Sequence, residues 1–166
     1  MWVVIKFHKN QLYNLKRDLK NKLGEDLKIY LPKLKLARSK SNKIYNSDSL
    51  LLGDYLLCYH SKFSLNGIIN SLKYCKGIKY FLDGFLFSQE EIIKFIKNCK
   101  VNEDKNGYIK QSFFNFASKQ NFEFISGPFN KMIFRIINEN RNRLKILIKD
   151  IEVTVSKKKE YIFKPV

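Results

Sequence analysis

The sequence predicts an α+β protein: an N-terminal α/β sandwich on an antiparallel sheet, followed by a small β-barrel. Three observations carry this. Residues 1–100 alternate strand-like and helix-like stretches in the order β-α-β-β-α-β-α. Residues 119–166 hold about five short runs rich in β-branched and aromatic residues, separated by turn residues. Between them Asn102-Glu103-Asp104-Lys105-Asn106-Gly107 is polar and rich in breakers. The expected division is residues 1–100, a linker 101–118, and residues 119–166.

Taken in order, residues 2–7 alternate and are rich in Val and Ile, a strand. Leu12, Leu15, Leu19 and Leu23 then recur at spacings of three and four, an apolar stripe on a helix over 10–23 that Gly24 can cap. Residues 27–31 make a strand that Pro32 stops. Residues 33–48 are basic and weakly alternating, a hairpin or loop. Residues 50–59 read as one apolar central strand, 63–74 as a helix with Ile68, Ile69 and Leu72 inward, and 78–82 as a further strand. Ser88-Gln89-Glu90-Glu91 is a capping-box pattern opening a helix that carries Ile92, Ile93, Phe95 and Ile96.

In the second part, residues 121–124 and 133–137 flank Ile125-Ser126-Gly127-Pro128-Phe129, a Gly-Pro corner between two strands. Residues 144–148, 152–155 and 161–163 complete the five. Met132, Ile133, Ile136 and Ile137, with Leu144, Leu147 and Ile148, would also make a helical stripe, but β-branched enrichment favours strands. Phe113, Phe114 and Phe116 are unusual in a linker; they begin the second domain or pack on the first.

Several of these stretches resemble a known family, in family order. Ser126-Gly127-Pro128-Phe129, the basic strand Arg143-Leu144-Lys145-Ile146-Leu147-Ile148 and the closing Phe163-Lys164-Pro165-Val166 resemble the SH3-like KOW barrel that ends NusG-family transcription elongation factors. Trp2-Val3-Val4-Ile5, Leu52-Gly53-Asp54-Tyr55-Leu56-Leu57 and Cys75-Lys76-Gly77-Ile78-Lys79-Tyr80-Phe81-Leu82 resemble segments of the NusG N-terminal domain. The chain departs from the pattern in having Leu52 for Phe, Gly53 for Pro, Asp54 for Gly or Asn, and Phe134 at the glycine that marks the KOW motif. RfaH-type paralogues also lose that glycine, and with them the family includes a switch of the C-terminal domain between helical hairpin and barrel.

The resemblance implies a factor that docks its N-terminal domain on the clamp of RNA polymerase and recruits a small-subunit ribosomal protein or Rho through its KOW domain. It implies polymerase contacts at Leu52, Tyr55, Leu57 and Phe81, against the plain alternative that a central strand is core on both faces. By alternation Leu52 and Leu56 share one face, Tyr55 and Leu57 the other. Phe129 is implied as the partner contact of the barrel, or plugs its core. A specialised RfaH-like antitermination factor is the reading; a housekeeping NusG and a ribosome-associated RNA-binding protein are the alternatives.

The net charge of +17 fits a polyanion partner. Only five of 32 basic residues are arginine, a lysine bias that an AT-rich genome would also produce. The charge clusters at Lys33, Lys35, Arg38, Lys40 and Lys43, with no acid before Asp48. That stretch is either a solvated hairpin or an arm that tracks phosphates of upstream DNA. Asn70, Lys73 and Lys76 form a second candidate, for non-template DNA or nascent RNA; the His-Thr-Thr-Thr motif of RfaH is absent. His8 and His60 stand in no triad or metal motif and read as surface residues. Cys58, Cys75 and Cys99 are too few and too widely spaced for a disulfide framework or zinc site. No enzyme, cofactor or metal is expected. No apolar run reaches the roughly 20 residues of a membrane helix, and Trp2 enters a strand directly rather than a signal peptide. A cytoplasmic monomer is expected.

Overall fold

The computed structural model describes residues 1–40, 43–114, 121–157 and 161–166. The chain divides into two compact units: Met1–Lys33 with Leu50–Val101, and Leu34–Ser49 with Asn102–Val166.

The first unit is built on a four-stranded sheet of β1 (Trp2–Phe7), β2 (Lys28–Tyr30), β5 (Tyr55–Tyr59) and β6 (Ile78–Phe81), in the order β2-β5-β1-β6. All three pairings are antiparallel. Alternation along β1 sends Val3, Ile5 and Phe7 to one face, where Leu15, Leu19 and Leu23 of α1 (Leu12–Leu23) cover them. Gly24, at φ +101, ends α1 and donates its N–H to the Lys20 carbonyl. The opposite face carries Leu57 with Trp2 and Val4 packed around it, closed by Ile92 and Ile96 of α3 (Gln89–Val101).

Gln89 ties α3 to the sheet. Its Nε2 donates to the carbonyls of Trp2 (2.7 Å) and Phe85 (2.7 Å), and its Oε1 accepts from the Trp2 N–H (2.9 Å). β6 pairs with β1 only along residues 5–7, and the Val4 carbonyl takes the Leu82 N–H beyond them. At Trp2 the side-chain amide of Gln89 therefore does the work of a strand partner.

Three expectations are corrected here. Residues 50–59 are not one strand: a turn over 51–54 precedes β5, with Gly53 at φ +62 and the Tyr55 N–H on the Leu52 carbonyl. Residues 63–74 are not one helix: a short 3₁₀ turn (Ser61–Ser64) and a five-residue α2 (Ile68–Leu72) flank Gly67 at φ +81, which breaks the helical path. His60, expected at the surface, is buried; its Nδ1 accepts the Lys62 N–H at 3.0 Å.

The second unit contains a hairpin, β3 (Lys33–Lys40, of which Lys33 falls to the first unit) and β4 (Lys43–Leu50, of which Leu50 does likewise). It also contains an antiparallel sheet of β7 (Asn121–Phe124), β8 (Ile133–Glu139), β9 (Arg143–Ile148), β10 (Ile151–Ser156) and β11 (Phe163–Pro165). The sheet order is β10-β9-β8-β7-β11. Strands at its two ends, β10 through Val155 and β11 through Phe163, join one core with Phe122, Phe124, Phe134, Leu144 and Ile146, so the sheet curls on itself. Phe134 is buried and stacks on Phe124 with ring centroids 4.2 Å apart.

The expected linker is folded where it is described. Residues 102–114 belong with the second unit: Glu103 bridges to Ile109, and Ile109 is buried. Gln111 exchanges two hydrogen bonds with the Phe163 backbone, at 2.8 and 2.9 Å. The basic hairpin, expected within 1–100, also clusters with the second unit apart from its ends. Phe116 and residues 115–118 of the linker lie outside the described residues.

Candidate interaction surfaces

The four residues implied for polymerase do not form one surface. Leu57 is 3% exposed beneath α3, and Leu52 packs partly buried against the same cluster. The 51–54 turn breaks the alternation that would have put Leu52 and Leu57 on opposite faces. Phe81 is 7% exposed and belongs to the core on the α1 side. Tyr55 alone, half-buried, brings its tip to the surface.

That tip belongs to a cluster the sequence reading missed. Lys6 stands opposite Tyr55 on one neighbouring strand and opposite Tyr80 on the other, so the three side chains form a row across β5, β1 and β6. Lys6 Nζ donates to the Tyr55 hydroxyl at 3.2 Å and lies 4.9 Å from the centre of the Tyr55 ring. The Tyr55 and Tyr80 hydroxyls are 3.2 Å apart. The Tyr80 hydrogen bond, then Lys6, lowers the Tyr55 pKa, while the Tyr55 hydrogen bond raises that of Lys6. Asp54 flanks the row with Lys79 at 3.4 Å. Desolvation works to raise the Asp54 pKa, but the Lys79 hydrogen bond and the Lys6 charge outweigh it, and the carboxyl is held below its ordinary range.

From Tyr80 the chain runs into exposed apolar residues: Leu82, Leu86 (57% exposed), Phe87 (91%) and, on α3, Ile93. With Tyr80 these are five exposed apolar side chains within fourteen residues of sequence, two of them aromatic, which makes this stretch the candidate interaction surface of the first unit. The signal in the sequence was Leu86-Phe87, an apolar pair after the Asp83-Gly84 turn that no periodic element claims.

The candidate nucleic-acid residues fall in different units. Asn70, Lys73 and Lys76 are exposed on α2 and the turn after it, beside the exposed ring of Tyr74; the Lys76 N–H donates to Asp18 Oδ2 at 3.3 Å. Lys33 is exposed at the start of β3 and belongs to the first unit, whereas exposed Lys35 and Arg38 belong to the second. Lys35 Nζ lies 6.0 Å from the centre of the Tyr108 ring. Lys43 is exposed; the side chain of Lys40 lies outside the described residues. Phe129 is half-buried, with Phe124 at 5.6 Å and Tyr161 at 6.4 Å between ring centroids, so one side of it packs on the core.

Among the described residues no group of three or more His, Cys, Asp or Glu side chains could hold a metal ion. No helix of the described residues is long and apolar enough to cross a membrane.

No family model and no curated protein matches the chain. Several solved structures are similar to it, two of them as follows. One is a chain from the crystal structure of the MjSpt4:Spt5 complex in conformation B, 16% identical, with 100% of this chain and 97% of that chain covered and a TM-score of 0.32. The other is NusG of Thermotoga maritima, 14% identical, with 93% and 91% covered and a TM-score of 0.36. Both are distant likenesses, and neither assigns a role to any residue of this chain.

Proposed function

We propose that the chain is a transcription elongation factor of the NusG kind, specialised in the manner of RfaH, that binds the clamp of RNA polymerase through its first unit. The observation that carries this reading is the Tyr55–Lys6–Tyr80 row together with the exposed Leu82, Leu86, Phe87 and Ile93 of the same unit. The set is apolar and aromatic with a charged edge at Asp54 and Lys79, the make-up of a protein-binding site. The family-ordered motifs of the sequence supply the identity of the partner. Function then needs no bond chemistry: binding one conformation of the clamp more tightly than another shifts polymerase toward uninterrupted elongation. In the second unit the free edge of Phe129 would meet a ribosomal protein or Rho, and the exposed lysines would add sequence-independent attraction to nucleic acid.

The test is capture of core RNA polymerase by the tagged full chain. Replacing Tyr80 and Phe87 together by Ser is expected to weaken capture at least about tenfold, as loss of two aromatic anchors does. Ile151→Ser, at an exposed apolar residue of the second unit, should leave it unchanged. Wild-type protein that ignores polymerase, or an equal effect of both changes, overturns the reading. Chromosomal occupancy then separates a factor confined to a few operons from one that follows polymerase over most genes.

A further inference from the structure

We propose that the second unit holds a single-stranded nucleic acid in a cleft between its β3–β4 hairpin and the 124–131 turn, with Arg38, Lys131 and Lys164 on phosphates and the Tyr45 ring stacked on a base. The cleft measures about 560 Å³ and is lined by these four residues together with Asn130 and Glu123, among others. All of them belong to one unit.

The cleft is a fixed feature of that unit. The Gly127 N–H donates to the Ala37 carbonyl at 2.7 Å, which fastens the hairpin to the turn. The Lys131 N–H donates to the Phe124 carbonyl at 2.7 Å and holds that lysine at φ +69, a left-handed conformation. Charge decides what enters. Glu123 pairs with Lys164 at 3.3 Å and offsets one cation. Arg38 and Lys131 have no ion-pair partner among the described residues, which leaves the lining two positive charges in excess. The second unit as a whole has 17 basic and 8 acidic residues, net +9. An anion is thus favoured, and Tyr45 narrows its kind. Its ring is 45% exposed beside the cations. A single strand presents unstacked base faces to such a ring, whereas a duplex buries them in its own stack. The inference does not rest on the polymerase reading, and its test contains no polymerase.

The experiment is fluorescence anisotropy of the full chain with labelled oligouridylate of about twelve nucleotides, the matching oligothymidylate and a DNA duplex, over a range of salt. Joint Arg38→Glu and Lys131→Glu should weaken single-strand binding at least about tenfold, and substituting both by Ala should flatten the log–log salt slope by roughly 1.4. Tyr45→Ala should cost about tenfold, the loss of one stacked base. Lys9→Glu with Lys97→Glu, exposed positions of the first unit, make the same change of charge and should have less than about a third of that effect. Circular dichroism of each variant verifies folding. Oligouridylate bound more tightly than oligothymidylate identifies RNA as the ligand; equal binding identifies a single strand of either sugar. Absence of single-strand binding, a duplex bound as tightly, or control charges that matter as much as the cleft charges overturns the proposal. So does an acidic polypeptide, polyglutamate, that displaces the oligonucleotide while Tyr45→Ala has no effect.

Discussion

The ring of Tyr161 lies where a side chain on Gly127 would have to stand: a Cβ there would fall 2.5 Å from Cδ1 and 2.6 Å from Cε1. Gly127 is also at φ +80, a conformation that residues with a Cβ resist. Glycine is thus required twice over, by its own backbone and by its neighbour. Next to it, buried Ser126 accepts the Ile162 N–H on Oγ at 2.6 Å, so the turn and the approach to β11 are joined at consecutive residues.

Gly127→Ala should therefore destabilise the second unit by about 2 kcal/mol or more, the sum of a positive-φ penalty and overpacking. Tyr161→Ala should recover part of that loss in the double mutant, because it removes the clash and leaves the backbone term. Denaturant unfolding of the four proteins in the cycle checks this; strict additivity would mean that the two residues do not meet.

Phe124→Ala should cost about 3–5 kcal/mol. Phe124 is fully buried and touches the rings of Phe129, Phe134, Tyr161 and Phe163, so its removal opens a cavity at the centre of the core. Ile133→Ala, at an exposed position of β8, should stay within about 0.5 kcal/mol of wild type. Hydrogen exchange of the β7 and β8 amides distinguishes the two.

Gln89→Leu should cost about 2 kcal/mol, since it strands the Trp2 N–H and carbonyl without replacing their partners. Trp2 is the sole tryptophan, so its emission during unfolding reports the change directly. Gln89→Glu should recover the acceptor half only, because Oε1 still meets the Trp2 N–H while the donor to its carbonyl is gone.

Acid should loosen the second unit partly through Asp104. Its Oδ1 accepts the N–H groups of Tyr108 (2.9 Å) and Asn106 (2.8 Å), and the first of these chiefly holds its pKa below the ordinary 3.8. A carboxyl depressed by folding contributes stability that is whole above the ordinary value and is lost as pH falls through the folded one. Asp104→Asn keeps an oxygen acceptor and cannot titrate. Its unfolding midpoint should fall less steeply than that of wild type below about pH 4, and the two should converge in acid. Parallel curves would show that Asp104 does not contribute.

What the sequence made legible was whatever repeats with a short period. The Val3-Ile5-Phe7 alternation, the Leu15-Leu19-Leu23 stripe, and the runs that became β7 to β10 each report their buried face within a few neighbouring residues. What it hid was set at long range. Nothing around Gln111 announces that its amide meets Phe163, 52 residues away, and so residues 102–114 read as a connector. The breaks at Gly53 and Gly67 depend on single left-handed residues inside runs that otherwise look continuous. The tyrosine–lysine row was hidden for a related reason: Lys6, Tyr55 and Tyr80 lie on three different strands and become neighbours only through register.

The three cysteines all fall in the first unit, and all are buried. Burial pushes the Cys58 thiol up to about 12, far from the reactive thiolate at neutral pH. An alkylating reagent can reach these sulfurs only through an opening of that unit, and the second unit offers it no target. The rate of thiol labelling is therefore a clock for one half of the molecule alone. Run with and without polymerase or oligonucleotide, it reads whether each ligand quiets that half, with no engineered probe.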